Sequence, residues 1–268
     1  MQEKIKTELS KYRKVELAEL AEFISMEYCP QGAVLPEIIA QQKGISYNYK
    51  NYADHFAGIL EYDNSGFHIY LNTQNTNDTK LRFSFAHELG HYFIDEHRNA
   101  LMKGKSLHKS YNQFLRKNIV EKEADFFASN LLMPKSRILK SIGNKKFSAD
   151  LINSLKTEYN VSFSACAVQL MNIDIHPFMI VFAESRQIKW KYYSDDFPYK
   201  RLLNDNIVPE DTVMGEYFYQ NKTDDIKKVE SVWAMDWFNN VKDEDIQRKF
   251  YEYCLSYRNF ALSIIWEN

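Results

Sequence analysis

The stretch RFSFAHELGHYFIDEH, residues 82–97, constrains the chain more than any other. His87 and His91 are four residues apart. In an α-helix such residues differ by about 40° around the axis and about 6 Å along it, so both imidazoles can face one ion. Glu88, about 100° from His87, can reach a water at that ion without binding the ion itself. H-E-x-x-H is the arrangement in which two neutral imidazoles ligate a metal and the carboxylate acts as general base. Gly90 speaks against a purely packing role. A mid-helix glycine costs about 1 kcal/mol relative to alanine, and it suits a place where another backbone, such as a bound peptide, comes close.

Two histidines do not complete a site, and the residues offer two candidates for the third ligand. His97 has the spacing of H-E-x-x-H-x-x-G-x-x-H, but Ile94 stands where that pattern has its turning glycine. A helix continued through Ile94 would carry His97 about 240° past His91. Glu121 is the other candidate, on a predicted helix containing EKEADFFASNLLMP. Asp125, four residues on, shares its face and suits an acceptor for the far nitrogen of a ligand histidine. Glu123 faces elsewhere.

Periodicity organises the rest. ELAELAEFISMEY, residues 16–28, and EIIAQQKG, residues 37–44, read as helices, the second stopped by Gly44. AGILEYDNSGFHIYLN reads as a β-hairpin ending near Asn72, turned by DNSG. If Phe67–Asn72 forms the sheet edge, an extended substrate could pair with it. TQNTNDTK reads as a loop, with Ser84 as candidate N-cap of the motif helix, and a second helix runs from about Asn118 to Pro134. Residues 148–172 read as a helical pair resembling a helix-turn-helix, but its candidate reading helix has no Lys or Arg. Beyond Pro177 strands dominate: PFMIVFAES, IKWKYYS, GEYFYQ and VESVWAMDWF, with helical spacing in EDIQRKFYEYCLSYRNF. Trp190, Trp233, Trp237 and Trp266 lie in this part, as aromatic core or as a sensing surface.

The formal net charge of −2 gives no global footprint for nucleic acid or an anionic membrane. Locally, residues 97–149 carry twelve Lys and Arg against three acids, and residues 195–245 thirteen acids against six bases, which read as solvated faces. Cys29, Cys166 and Cys254 are odd in number and far apart, so neither a disulfide framework nor a thiolate metal site is expected. No signal peptide or long uncharged apolar run is visible, so a cytoplasmic protein is expected.

RFSFAHELGHYF followed by EKEADFFASNLLMP resembles the ImmA/IrrE family of zinc metallopeptidases, specifically over about residues 67–134. The resemblance implies a zincin-like fold, with His87, His91 and Glu121 as metal ligands, Glu88 as general base and Asp125 in supporting contact with a ligand. At Asp125 the family commonly has Asn. The expected class is α+β. A metallopeptidase domain of helices plus a small antiparallel sheet spans 1–135, a helical segment 136–175, and an α+β domain 176–268 that senses a signal or recruits substrate. One zinc per chain is implied, with Mn²⁺ the alternative ion. So is a protein substrate, a helix-turn-helix transcriptional repressor, in a stress-response or mobile-element setting. Direct DNA contact is not expected; the competing reading is a DNA-binding or repressor-sequestering regulator without proteolysis.

Overall fold

In the computed structural model, which describes residues 9–53, 56–74, 76–104, 119–220 and 227–267, the motif helix begins earlier than Ser84. Asn77 caps it: its backbone is extended and its side chain accepts from the Lys80 amide at 3.0 Å. Asn77 satisfies an amide of the first turn, with Asp78 behind it to favour the positive end of the helix dipole. Ser84 lies buried in the helix interior.

The described residues form two compact units, Met1–Gly143 with Ser154–Ala165, and Asn144–Asn153 with Cys166–Asn268. In chain order the elements are α1 (Lys11–Tyr28), α2 (Pro36–Gln42), β1 (Ser46–Lys50), β2 (Gly58–Asp63), β3 (Gly66–Asn72), α3 (Asp78–Phe93), α4 (Asp95–Met102), α5 (Ile119–Leu132) and α6 (Lys135–Ile142). They continue with α7 (Ala149–Glu158), α8 (Phe163–Asn172), β4 (Phe178–Glu184), β5 (Gln187–Tyr193), α9 (Val213–Tyr219), β6 (Lys227–Trp233), α10 (Ala234–Trp237), β7 (Lys249–Tyr257) and β8 (Phe260–Trp266). The fold is α+β, and no described helix is long and apolar enough to cross a membrane. Residues 105–118 of the basic stretch, including Asn118 as a helix start, lie outside the described residues.

In the first unit α3 packs on the sheet through one side and on α5 through the other, and α1 covers α5. Phe85 and Leu89 of α3, Ile69 and Leu71 of β3, Phe127 of α5 and Leu17 of α1 are all buried. The sheet is mixed, in the order β1-β3-β2, with β3 parallel to β1 and antiparallel to β2. Phe67–Asn72 is therefore the central strand, and the edge expectation fails for it: both of its sides are already paired. The edge beside α3 is β2.

Gly90 also finds a different partner. A Cβ there would meet the Ala124 Cα at 3.2 Å and the Phe127 ring at 3.1 Å. The backbone that comes close is that of α5, not of a bound peptide, and the glycine sets how near the two helices lie.

The second unit is an antiparallel five-stranded sheet, β5-β4-β8-β7-β6. Its core face packs Val181, Phe250 and Ile265 against Met214, Trp237 and Phe238. Two segments differ from expectation. GEYFYQ belongs to α9, because the Thr212 side chain accepts from the Gly215 amide at 2.8 Å and Glu252 accepts from the Val213 and Met214 amides at 2.9 and 3.0 Å. KFYEYCLSY is the strand β7. Its apolar residues four apart satisfy period two as well as 3.6, and Phe250, Glu252, Cys254 and Ser256 alternate inward. VESVWAMDWF is a strand only to Trp233, where Asp236 accepts from the Trp233 amide at 2.7 Å and starts α10.

Glu252 is 0% exposed and accepts also from Trp237 Nε1 at 2.7 Å and from the Ser263 hydroxyl. Glu252→Ala would leave four buried donors without their acceptor, and we expect it to destabilise this unit by about 3 kcal/mol or more. Urea unfolding followed by tryptophan fluorescence measures this; a loss below about 1 kcal/mol would show that water or a neighbour takes over as acceptor.

Candidate metal centre

α3 and α5 bring three donors together inside the first unit. His87, His91 and Glu121 are 1%, 1% and 6% exposed, and one ligand atom from each lies within 4.8 Å of the others. His87 Nε2 is 3.1 Å from His91 Nε2 and 3.3 Å from Glu121 Oε2, and His91 Nε2 is 3.5 Å from Glu121 Oε1. Ligands at about 2.0–2.1 Å from a tetrahedral ion stand about 3.3–3.4 Å apart. The donor set therefore fits a zinc-sized ion in both chemistry and spacing.

The surroundings favour a cation. Burial pulls His87 towards neutrality, but Asp125 and Glu121 outweigh it and hold the ring up to about 9. His91 goes the other way, down to about 4: burial dominates, and His87 and His97 oppose a second positive ring. Burial would raise Glu121, yet its contacts with the two imidazoles hold it well below the usual carboxylate range. The cluster thus combines a carboxylate held ionised by its neighbours with two imidazoles whose basicities are pushed in opposite directions.

The remaining residues singled out in the sequence fall into place around it. Asp125 Oδ1 is 2.9 Å from His87 Nδ1, the nitrogen on the far side of the ring. Glu88 is 2% exposed and lies against β2, where a Cβ on Gly58 would come to 2.8 Å from its Oε1. His97 does not join the three donors. The helix breaks at Ile94, which is extended, and α4 returns His97 to the back of His91 with their Nδ1 atoms 3.1 Å apart. Glu123 turns to His97 and to Arg13, at 2.8 Å each. His68 lies away from this cluster, hydrogen bonded to Ser46 and Ser65 on the sheet. Gly58 and Arg13 were not singled out in the sequence: one contributes only the absence of a side chain, and the other is separated from its partners by most of the unit.

Against models of known families, residues 40–171 match Peptidase_M78, the IrrE N-terminal-like domain. No curated protein matches the chain. Among solved structures, a Mycobacterium tuberculosis transcriptional regulator is similar over 94% of this chain and 76% of its own, at 14% identity and a TM-score of 0.64, which is a likeness of fold.

Proposed function

We propose that the protein, whose residues 40–171 match the IrrE N-terminal-like domain, is a zinc metallo-endopeptidase that cleaves a helix-turn-helix repressor in the cytoplasm. The observation that carries this reading is the convergence of His87, His91 and Glu121 in one buried cluster with Glu88 beside it. We assign His87, His91 and Glu121 as ligands of one zinc ion per chain, Mn²⁺ being the alternative occupant. Bound there, zinc supplies a Lewis acid that acidifies water and polarises the scissile carbonyl.

The protein's own groups do the rest. Asp125 accepts from His87 Nδ1–H and so leaves the Nε2 lone pair free to bind. Glu88 takes the proton of the attacking water as oxygen adds to the carbonyl carbon, and gives it to the amine nitrogen as the C–N bond breaks. Among the described residues no strand pairs with the outer edge of β2, and that edge aligns the substrate. The Asn72 amide donates to the Ala57 carbonyl at 3.0 Å, so the alternation of an antiparallel ladder turns the amides of Gly58, Leu60 and Tyr62 off that edge. An extended segment pairing with them lies beside Glu88.

Because a Cβ at position 58 intrudes on Glu88, Gly58→Ala is expected to lower turnover by about 10- to 100-fold with zinc content unchanged. Single-turnover rates and elemental analysis of the same sample test this; wild-type turnover would show that Glu88 has room to spare. The function itself is tested by incubating the zinc-loaded chain with the repressor encoded nearest to it and reading the products by mass spectrometry. A single new pair of termini, abolished by chelation and restored by zinc, supports the endopeptidase. An intact repressor recovered in a stoichiometric complex overturns it.

A further inference from the structure

Among the described residues, His87 has a carboxylate in direct contact with its far nitrogen and His91 has none. In that place stands His97, 3% exposed, with its Nδ1 3.1 Å from His91 Nδ1. His97 Nε2 is 2.8 Å from Glu123 Oε2, and the other Glu123 oxygen accepts from Arg13 Nε at 2.8 Å. Arg13 is held in turn by Glu16 at 2.9 Å and Glu96 at 3.2 Å.

These contacts satisfy every partner in one sense only. With His91 Nε2 turned to the cluster and free of a proton, its Nδ1 carries the hydrogen and must donate. His97 Nδ1 must then accept, which leaves the His97 hydrogen on Nε2, pointing at Glu123. Arg13 neutralises that carboxylate, so the series ends in an ion pair in which both side chains are largely buried. We propose that His97, Glu123 and Arg13 are positioning residues that fix the tautomer and ring orientation of His91 as a metal ligand. The inference rests on the metallopeptidase reading and adds to it a role for α1, which lies outside the residues matched to the family. It also explains why His97 is buried at the site without being one of its donors. An imidazole passes the influence of a carboxylate across α4, while Glu121, Glu88 and Asp125 already supply negative charge near the cluster.

The test uses the full chain, with zinc affinity measured by competition against a chromophoric chelator and the visible spectrum recorded after cobalt substitution. His97→Leu keeps the volume and removes both hydrogen bonds. It is expected to weaken zinc binding by about 10- to 100-fold and to shift the cobalt bands. In His97→Gln the amide oxygen can accept from His91 and the amide nitrogen can donate to Glu123. It is expected to restore affinity to within about threefold of wild type, with wild-type bands, which a packing role would not predict. Glu123→Ala, at the far end, is expected to weaken zinc by about three- to tenfold, and it serves if the His97 variants do not fold. Wild-type affinity and spectrum in His97→Leu would overturn the relay, as would Gln proving as weak as Leu. Failure of the wild-type chain to bind zinc would instead overturn the metallopeptidase reading on which the relay rests.

Discussion

Glu121→Ala, exchanged into metal-free buffer, is expected to retain less than about a tenth of a zinc ion per chain where the wild type retains about one. Glu121 is the only one of the three donors contributed by α5, and its two oxygens lie 3.3 and 3.5 Å from the two imidazoles. Its removal leaves a pair of histidines on one helix, which chelates a divalent ion weakly, and withdraws the negative charge that favours a cation in a buried place. The methyl group of alanine fills the start of the same side chain, so α5 should still pack through Phe127 and Leu131. Circular dichroism of the metal-free proteins separates loss of the ligand from loss of the helix. A full complement of zinc in the variant would remove Glu121 from the ligand set.

Glu88→Gln is expected to behave in the opposite way, keeping its zinc and losing about a thousandfold in turnover, within the 10²–10⁴ range for removal of a general base. Glutamine matches glutamate in volume, so the contact with Gly58 survives, but a neutral amide cannot take a proton from water. Metal content measured beside rate makes the result decisive. A variant with wild-type turnover would assign proton transfer to another group.

Much of this site can be read in the sequence because helical geometry is local. His87, Glu88 and His91 lie within five residues, and their relative directions follow from the helix period alone. Glu121 and Asp125 have the same property between themselves, and the resemblance of EKEADFFASNLLMP to a known family ties that pair to the first. What could not be read is whatever depends on which backbones meet. The order β1-β3-β2 is set by a parallel pairing of strands with β2 between them in sequence, so the edge falls on β2 rather than on Phe67–Asn72. Gly58 and Arg13 carry no local pattern that connects them to the cluster. The break at Ile94 came without a glycine, and so the position of His97 could not be derived from the period. In the second unit, β7 was obscured because residues four apart fit a strand as well as a helix. The helix α9 depends on an acceptor, Glu252, that arrives from a distant strand.

Gly90 is not one of the three donors, yet it sets the separation of the two helices that carry them. An alanine there must push α3 and α5 apart by a few tenths of an ångström, a shift the core tolerates better than a three-point coordination geometry does. Position 90 therefore bears on the spacing of the three donors as well as on the packing of α3 against α5.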